Sequence, residues 1–169
     1  MIRRNRTLGY GIAAAVFILD QLIKWLVTGP LGVSAPGDVR EVLPFFNLSF
    51  VANNGISLGL FPAGSDGMRW LLVGVTLLIS IGVAVWLWRE RSRGDAVALG
   101  IVLGGAIGNI VDRTRVGYVI DYADLHFGSW QPFLVFNLAD AAITVGAVIL
   151  VLRAFFVKRP DDQPESHHA

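Results

Sequence analysis

The chain has 169 residues, of which 54% are hydrophobic and only 16% are charged. Soluble domains carry roughly 25% charged residues, so this composition predicts that residues 1–169 form a single membrane domain. The net charge of +1 excludes a global field that would attract nucleic acid, and the absence of cysteine excludes disulfides, thiolate metal sites and a cysteine nucleophile.

The first predicted membrane span covers residues 9–28, after a basic N-terminus. About 20 apolar residues suffice to cross the hydrocarbon core of a bilayer. A basic start and an apolar run are also typical of a secretory signal peptide, but Asp20, Gln21 and Lys24 interrupt the run and no small-residue cleavage site follows. We therefore predict a retained helix. Because Asp20 and Lys24 are spaced i, i+4, we expect them to pair and to fix this helix in the bundle.

Residues 37–62 are predicted to form a small β-cradle between spans 1 and 2. Residues 46–51 alternate between apolar and polar side chains, which indicates a half-buried strand. The turn signal at 53–55 would join this strand to a second apolar stretch at 56–61. So irregular a segment cannot cross lipid, because its backbone polar groups would lack partners there, and we place it on the membrane surface.

Three further spans are predicted, at residues 69–88, 95–111 and 133–157. Tryptophans at both ends of the second span fit the aromatic belts found at membrane interfaces. In the third span, Gly100, Gly104 and Gly108 recur every four residues and would allow another helix to approach closely. The polar tail at 160–169 is predicted to be disordered.

The basic residues predict the orientation of these four spans. Three lysines or arginines lie near the N-terminus, three between spans 2 and 3, and three near the C-terminal end of the chain. The opposite side carries four, namely Arg40, Arg69, Arg113 and Arg115. Because basic residues favour the cytoplasmic side, we predict that both termini are cytoplasmic and that the β-cradle is extracytoplasmic.

Two aspartates occupy positions where a carboxylate is costly. Asp140 lies within the apolar run of the fourth span, and Asp121 lies in the apolar phrase YVIDY that precedes it. A buried carboxylate loses hydration, so it needs a partner or a proton. The pair could share a proton and activate water, as in aspartic peptidases. The alternative is a helix-packing polar group together with a loop aspartate.

Two other classes of protein would also use such residues. A proton or ion transporter places aspartates at depth, but it needs a polar path to both sides, and spans 2 and 3 have few polar groups. A structural subunit could use the glycine face for packing, but that role would not explain why polar residues of spans 1, 3 and 4 converge. No HExxH motif supports a metalloprotease, and no metal or cofactor is expected.

Five blocks of the sequence, in order, resemble the lipoprotein signal peptidase (signal peptidase II) family. They are LDQLIK at 19–24, ANNGISLG at 52–59, GGAIGNIVDR at 104–113, VIDY at 119–122 and FNLADAAIT at 136–144. The chain departs from the family pattern at Leu58, where an aromatic residue is usual, and at Tyr122, where phenylalanine is usual. Five ordered blocks on four spans make a specific resemblance that covers nearly the whole chain.

The resemblance implies an intramembrane aspartic endopeptidase of the bacterial cytoplasmic (inner) membrane. Such enzymes cleave the signal peptide from diacylglyceryl-modified prolipoproteins just before the lipidated cysteine. The implied catalytic pair is Asp121 and Asp140, near the outer leaflet. The expected partners are lipid-modified prolipoproteins and membrane lipid, and we expect a monomer.

The resemblance also assigns expected roles to other polar residues. The residues implied to bind substrate are Asn53, Gly55, Asn109, Arg113 and Asn137. Structural polar support is expected from Asp112 together with the Asp20–Lys24 pair of the first span.

Overall fold

The computed structural model of the chain describes residues 2–55, 65–128 and 130–156. Within these ranges the element order is α1 (Ile2–Thr28), β1 (Val39–Leu43), β2 (Phe46–Asn53), α2 (Asp66–Arg89), α3 (Arg93–Arg115), β3 (Val119–Leu125) and α4 (Leu138–Phe156). All four helices are long and apolar enough to cross a membrane. The predicted fold class, a four-helix membrane protein with a small sheet, is confirmed.

The helices do not end where the apolar runs end. α1 begins at Ile2 rather than at residue 9, so the helix includes the basic residues near the N-terminus. The side chain of Ser65 accepts a hydrogen bond from Met68 N and so starts α2 at Asp66. α3 is longer than predicted and includes the polar turn that ends at Arg115. α4 begins at Leu138 rather than at residue 133, because Phe136 is bridged to β3.

α3 is the central helix of the bundle. Over its apolar window 56% of the residues are buried, against 22% for α1 and 17% for α2 and for α4. Its glycine face allows this packing: a Cβ on Gly100 would collide with the carbonyl oxygen of Gly9, and one on Gly104 would collide with that of Ala13. The predicted close approach of a second helix therefore occurs, and that helix is α1.

The sheet is antiparallel, with the strand order β1-β2-β3. Its first two strands lie between α1 and α2, as predicted, and β2 contains the strand expected at 46–51. The third strand follows α3 and was not predicted. In the β2–β3 pairing, Val51 lies opposite Asp121 and Asn53 lies opposite Val119. The stretch at 56–61, the second half of the predicted cradle, and the tail at 160–169 lie outside the described residues.

A hydrophobic cluster joins the sheet to the C-terminal end of α1. Its buried members are Val27, Val33, Leu48, Phe50, Tyr122 and Ala123. Burial of such side chains stabilises by about 25 cal/mol per Å² of apolar surface removed from water, so the sheet is fixed to the helical bundle. That attachment holds β3 beside the ends of α1 and α3.

Candidate active site

Asp121 lies in the middle of β3 and is almost completely buried, with 1% of its surface exposed. Its Oδ2 accepts a hydrogen bond from Asn53 Nδ2 at 2.9 Å, and its Oδ1 accepts one from Asn137 Nδ2 at 2.6 Å. Burial raises the pKa of Asp121 to about 6; the nearby charge of Asp140 acts in the same direction, while the two amide donors oppose the increase. This carboxyl group therefore keeps a proton to a higher pH than an ordinary aspartate does.

Asp140 lies in the first turn of α4 and is partly exposed. Its Oδ1 accepts a hydrogen bond from Asn109 Nδ2 of α3 at 2.7 Å. Its Oδ2 accepts from Asn137 N at 3.4 Å, while its own backbone N donates to Asn137 Oδ1 at 2.9 Å. This reciprocal pair is a capping box, which fixes the carboxylate against the start of the helix.

Asn137 connects the two aspartates through one side-chain amide. Its oxygen caps α4, and its nitrogen donates to Asp121 Oδ1 and, at 3.3 Å, to Asn109 Oδ1. The residue is fully buried. The structure thus brings Asp121, Asp140, Asn109 and Asn137 into one hydrogen-bonded network, as the sequence blocks implied.

Asn53 and Gly55 lie at the end of β2, on the other side of Asp121. Asn53 Oδ1 accepts a hydrogen bond from Gly55 N at 2.8 Å, which leaves its Nδ2 for Asp121. Gly55 has a φ of +83°, a backbone conformation that favours glycine, and it lies against the side chain of Leu72. This turn thus holds Asn53 in place beside the Asp121 carboxyl group.

Arg113, in the last turn of α3, lies within electrostatic reach of Asp121 and Asp140. Its Nη2 is 3.8 Å from the point that a Cβ on Gly55 would occupy. Its Nε is buried, and it has no hydrogen-bond partner among the residues that the structure describes. Buried donors normally have an acceptor, so the Nε of Arg113 is an unusual feature of this site.

A second polar cluster lies beside this network, with Lys24 at its centre. Lys24 Nζ lies 2.8 Å from Asp20 Oδ2 and 2.6 Å from Asp112 Oδ2. The exposed fractions of these three side chains are 4% or less, so the ions are removed from water. Gln21 Nε2 completes the cluster by donating to Asp112 Oδ1 at 2.9 Å.

This cluster holds the two elements that carry the aspartates. Asp20 Oδ1 accepts a hydrogen bond from Ala139 N, in the first turn of α4, at 3.0 Å. Asp112 Oδ2 accepts one from Ile120 N, the residue before Asp121, at 3.3 Å. A carboxylate is also favoured at a helix N-terminus by the helix dipole. The cluster therefore fixes the positions of β3 and α4, although among the described residues it makes no hydrogen bond to the side chain of Asp121 or Asp140.

Sequence reasoning missed two residues of this region. Gln21 was treated only as an interruption of the first span, although a polar side chain within an apolar run is itself a signal of an interior contact. Tyr122 was noted only as a departure from a pattern; its hydroxyl accepts a hydrogen bond from Leu138 N at 3.2 Å.

Access to Asp140 is from the side of α4. A groove of about 370 Å³ opens on Asp140 and is otherwise lined mostly by apolar side chains, among them Phe133, Leu134, Phe136 and Val145. Leu134 is 91% exposed at its edge. The groove lies along α4, which is long and apolar enough to span a bilayer.

Taken together, the network contains a buried carboxyl group, a second and more accessible one, and donors from Asn and Arg side chains around them. Such an arrangement can take a proton from water, give a proton to a carbonyl oxygen and stabilise the charge that develops on that oxygen.

Comparison with known proteins gives consistent matches over most of the chain. Residues 12–156 match the family model for signal peptidase (SPase) II. The lipoprotein signal peptidase of Rhizorhabdus wittichii is 57% identical over 92% of this chain and 90% of its own length, and that of Sphingopyxis alaskensis is 47% identical over 96% and 95%. A solved structure described as a bacterial membrane enzyme is 27% identical, covers 89% of this chain and 94% of its own, and has a TM-score of 0.75. The segment that matches the family model contains every residue of the site.

Proposed function

Since this chain belongs to the signal peptidase II family, and is thus an aspartic peptidase that removes signal peptides from prolipoproteins, we propose that Asp121 and Asp140 are its two catalytic carboxylates. The proposal rests on the hydrogen bonds that both residues make with Asn137, which donates to Asp121 and forms a capping box with Asp140. The pKa of about 6 at Asp121 supports a pair that holds one proton between them near neutral pH.

In the proposed reaction the charged aspartate takes a proton from water, whose oxygen attacks the carbonyl carbon of the scissile bond. The protonated aspartate gives its proton to the carbonyl oxygen, which produces a neutral tetrahedral intermediate. When the C–N bond breaks, the first aspartate passes its proton to the leaving nitrogen, and the hydroxyl proton of the intermediate returns to the second. The pair then again holds one proton.

Five residues are proposed to bind the substrate around this pair. They are Asn53, Gly55, Asn109, Arg113 and Asn137. Arg113 supports a contact with a substrate carbonyl, because its guanidinium lies within electrostatic reach of both aspartates and its Nε has no hydrogen-bond partner among the described residues. Asp20, Lys24 and Asp112 are proposed to support the site without touching substrate.

We propose that the substrate is a diacylglyceryl-modified prolipoprotein, cut just before the lipidated cysteine. The apolar groove beside Asp140 supports delivery of a membrane-anchored substrate from the side. Because the site residues all come from one chain, the enzyme is proposed to act as a monomer. The site is assigned to the outer leaflet of the bacterial inner membrane, with both termini in the cytoplasm.

The lipid requirement can be tested with a precursor that is either modified or unmodified. Binding energy from the lipid would orient the scissile bond, so cleavage of the lipidated form should be faster by roughly 100-fold or more. The measurement is kcat/KM of the purified protein on both forms, with a Cys→Ser precursor as the unmodifiable control. Equal rates would refute the lipid requirement. Proton flux into liposomes without any cleavage would instead support the transporter alternative.

The orientation can be tested with single cysteines, because the natural chain has none. Ala35→Cys, between α1 and β1, and Arg91→Cys, between α2 and α3, both replace exposed residues. In right-side-out vesicles an impermeant thiol reagent should label the Ala35→Cys variant alone, and in permeabilised vesicles it should label both. Labelling of only the Arg91→Cys variant in sealed vesicles would reverse the proposed topology.

A further inference from the structure

We propose that Tyr122 is a positioning residue, whose hydroxyl fixes Asn137 between the two catalytic aspartates. The inference rests on the roles proposed above for Asp121 and Asp140. These two residues belong to different elements, β3 and α4, so their separation depends on how the first turn of α4 lies against β3. Tyr122 directly follows Asp121 and contacts that turn.

Tyr122 makes hydrogen bonds to the chain on both sides of Asn137. Its backbone N donates to Phe136 O at 3.1 Å, and its side-chain hydroxyl accepts from Leu138 N at 3.2 Å. Phe136 and Leu138 are the two neighbours of Asn137 in the chain. Tyr122 is thus hydrogen-bonded to both neighbours of Asn137, and the side-chain amide of Asn137 donates to Asp121.

The hydroxyl also satisfies an amide that the helix leaves free. The first backbone N–H groups of an α-helix have no partner within the helix. In α4 the first three amides each donate to a side chain. Leu138 N donates to the hydroxyl of Tyr122. Ala139 N donates to Asp20, and Asp140 N donates to Asn137. Of these three acceptors, Tyr122 is the one that comes from the strand of Asp121. Without its hydroxyl, Leu138 N would lose this acceptor and the tie between β3 and α4 would weaken.

The ring of Tyr122 can stay in place when only the hydroxyl is removed. The side chain is buried with 6% of its surface exposed, in the hydrophobic cluster that also contains Val27 and Phe50. Burial raises the pKa of the Tyr122 hydroxyl well above its usual range, so the group stays neutral throughout any practical assay. Tyr122→Phe is therefore a specific test of one hydrogen bond.

A displaced Asn137 would change the titration of the dyad in a defined direction. The bond from Asn137 Nδ2 to Asp121 Oδ1 favours the charged carboxylate, so weakening it would raise the pKa of Asp121 further. The charged groups that face Asp121 are Asp140 from α4, Lys24 from α1 and Arg113 from α3, and Tyr122→Phe replaces none of them. Because Asp121 titrates beside a charged Asp140, this pKa governs the loss of the shared proton, and the alkaline limb of kcat/KM should therefore move to higher pH.

The experiment compares Tyr122→Phe with Tyr10→Phe on a lipidated precursor, from pH 4.5 to 8. For Tyr122→Phe we expect kcat/KM to fall roughly three- to tenfold, and the alkaline limb to rise by roughly half a pH unit. Tyr10 is a matched control, because its hydroxyl donates to Ala84 O at 2.9 Å, between α1 and α2 and away from the site. Its variant should keep the wild-type pH profile.

An unchanged rate and pH profile in Tyr122→Phe would overturn the positioning role. A lower thermal midpoint with activity that merely follows the folded fraction would overturn it as well, because that result is what a purely structural contact gives. Failure of the catalytic assignment is distinguishable: it would appear as full turnover in Asp121→Asn or Asp140→Asn, whatever Tyr122→Phe does.

Discussion

Asp121→Asn and Asp140→Asn should each reduce single-turnover cleavage of a lipidated precursor by roughly 10³-fold or more, a size typical of lost acid–base chemistry. Asparagine keeps the volume of aspartate and one hydrogen-bonding oxygen, but it cannot exchange a proton. Substrate binding, measured separately on the same folded variants, should survive. A dissociation constant close to that of the wild type, together with absent turnover, is the expected combination.

Asp124→Asn provides the matched control for this experiment. Asp124 lies in the same strand as Asp121 and is also buried, but it accepts hydrogen bonds from Ser49 and Gln131 instead. Its variant should cleave at nearly the normal rate. Near-normal turnover in either dyad variant would remove that residue from the mechanism.

The Asp112→Asn variant distinguishes a carboxylate that stabilises the structure from one that takes part in the reaction. Asp112 contacts Lys24 and Ile120 N, so its replacement should lower yield or thermal stability more than turnover per folded molecule. If Asp112→Asn abolished turnover while Asp121→Asn and Asp140→Asn did not, the wrong carboxylates would have been assigned.

Lys24→Met should have the largest effect on stability. Removing the one cation between Asp20 and Asp112 would leave two buried carboxylates without their shared partner. Breaking a buried ion pair in this way costs about 3–5 kcal/mol. The measurement is the thermal midpoint in detergent, together with the amount of protein recovered from membranes.

Two further variants serve as controls for the loss of stability expected in Lys24→Met. Arg115→Met removes an exposed cation from the last turn of α3 and should change the free energy of unfolding by less than about 1 kcal/mol. The triple variant Asp20→Asn, Lys24→Met, Asp112→Asn removes all three charges and should recover part of the loss. If Lys24→Met were as stable as Arg115→Met, the cluster would not support the fold.

The spans and the Asp20–Lys24 pairing could be predicted because they depend on local spacing. An apolar run of about 20 residues predicts a helix wherever it occurs, and α2 (Asp66–Arg89) contains all of the predicted 69–88. An i, i+4 pair is likewise set by the geometry of one helix. Both properties can be read without knowledge of the rest of the chain.

The sheet and its contacts depend on segments that are distant in the chain. Asp121 and Asp124 interrupt any apolar alternation in β3, which is a strand because β2 pairs with it. The third member of the charged cluster, Asp112, reaches Lys24 only because α3 packs against α1. The roles of Gln21 and Tyr122 arise in the same way, from contacts across elements. Periodicity within one segment carries no signal for such contacts.

The double use of Asn137 has a consequence for drug resistance. An inhibitor held by Asp121 and Asp140 would depend on Asn137, whose amide caps α4 and donates to Asp121. A mutation there that weakened the drug would also disturb the dyad and the first turn of the helix, so the resistant cell would lose its peptidase. Escape would be left to residues such as Leu134, at the exposed edge of the groove, where a change leaves the hydrogen-bonded network intact. Compounds anchored on the two aspartates should therefore select fewer resistant mutants than compounds held mainly by the groove.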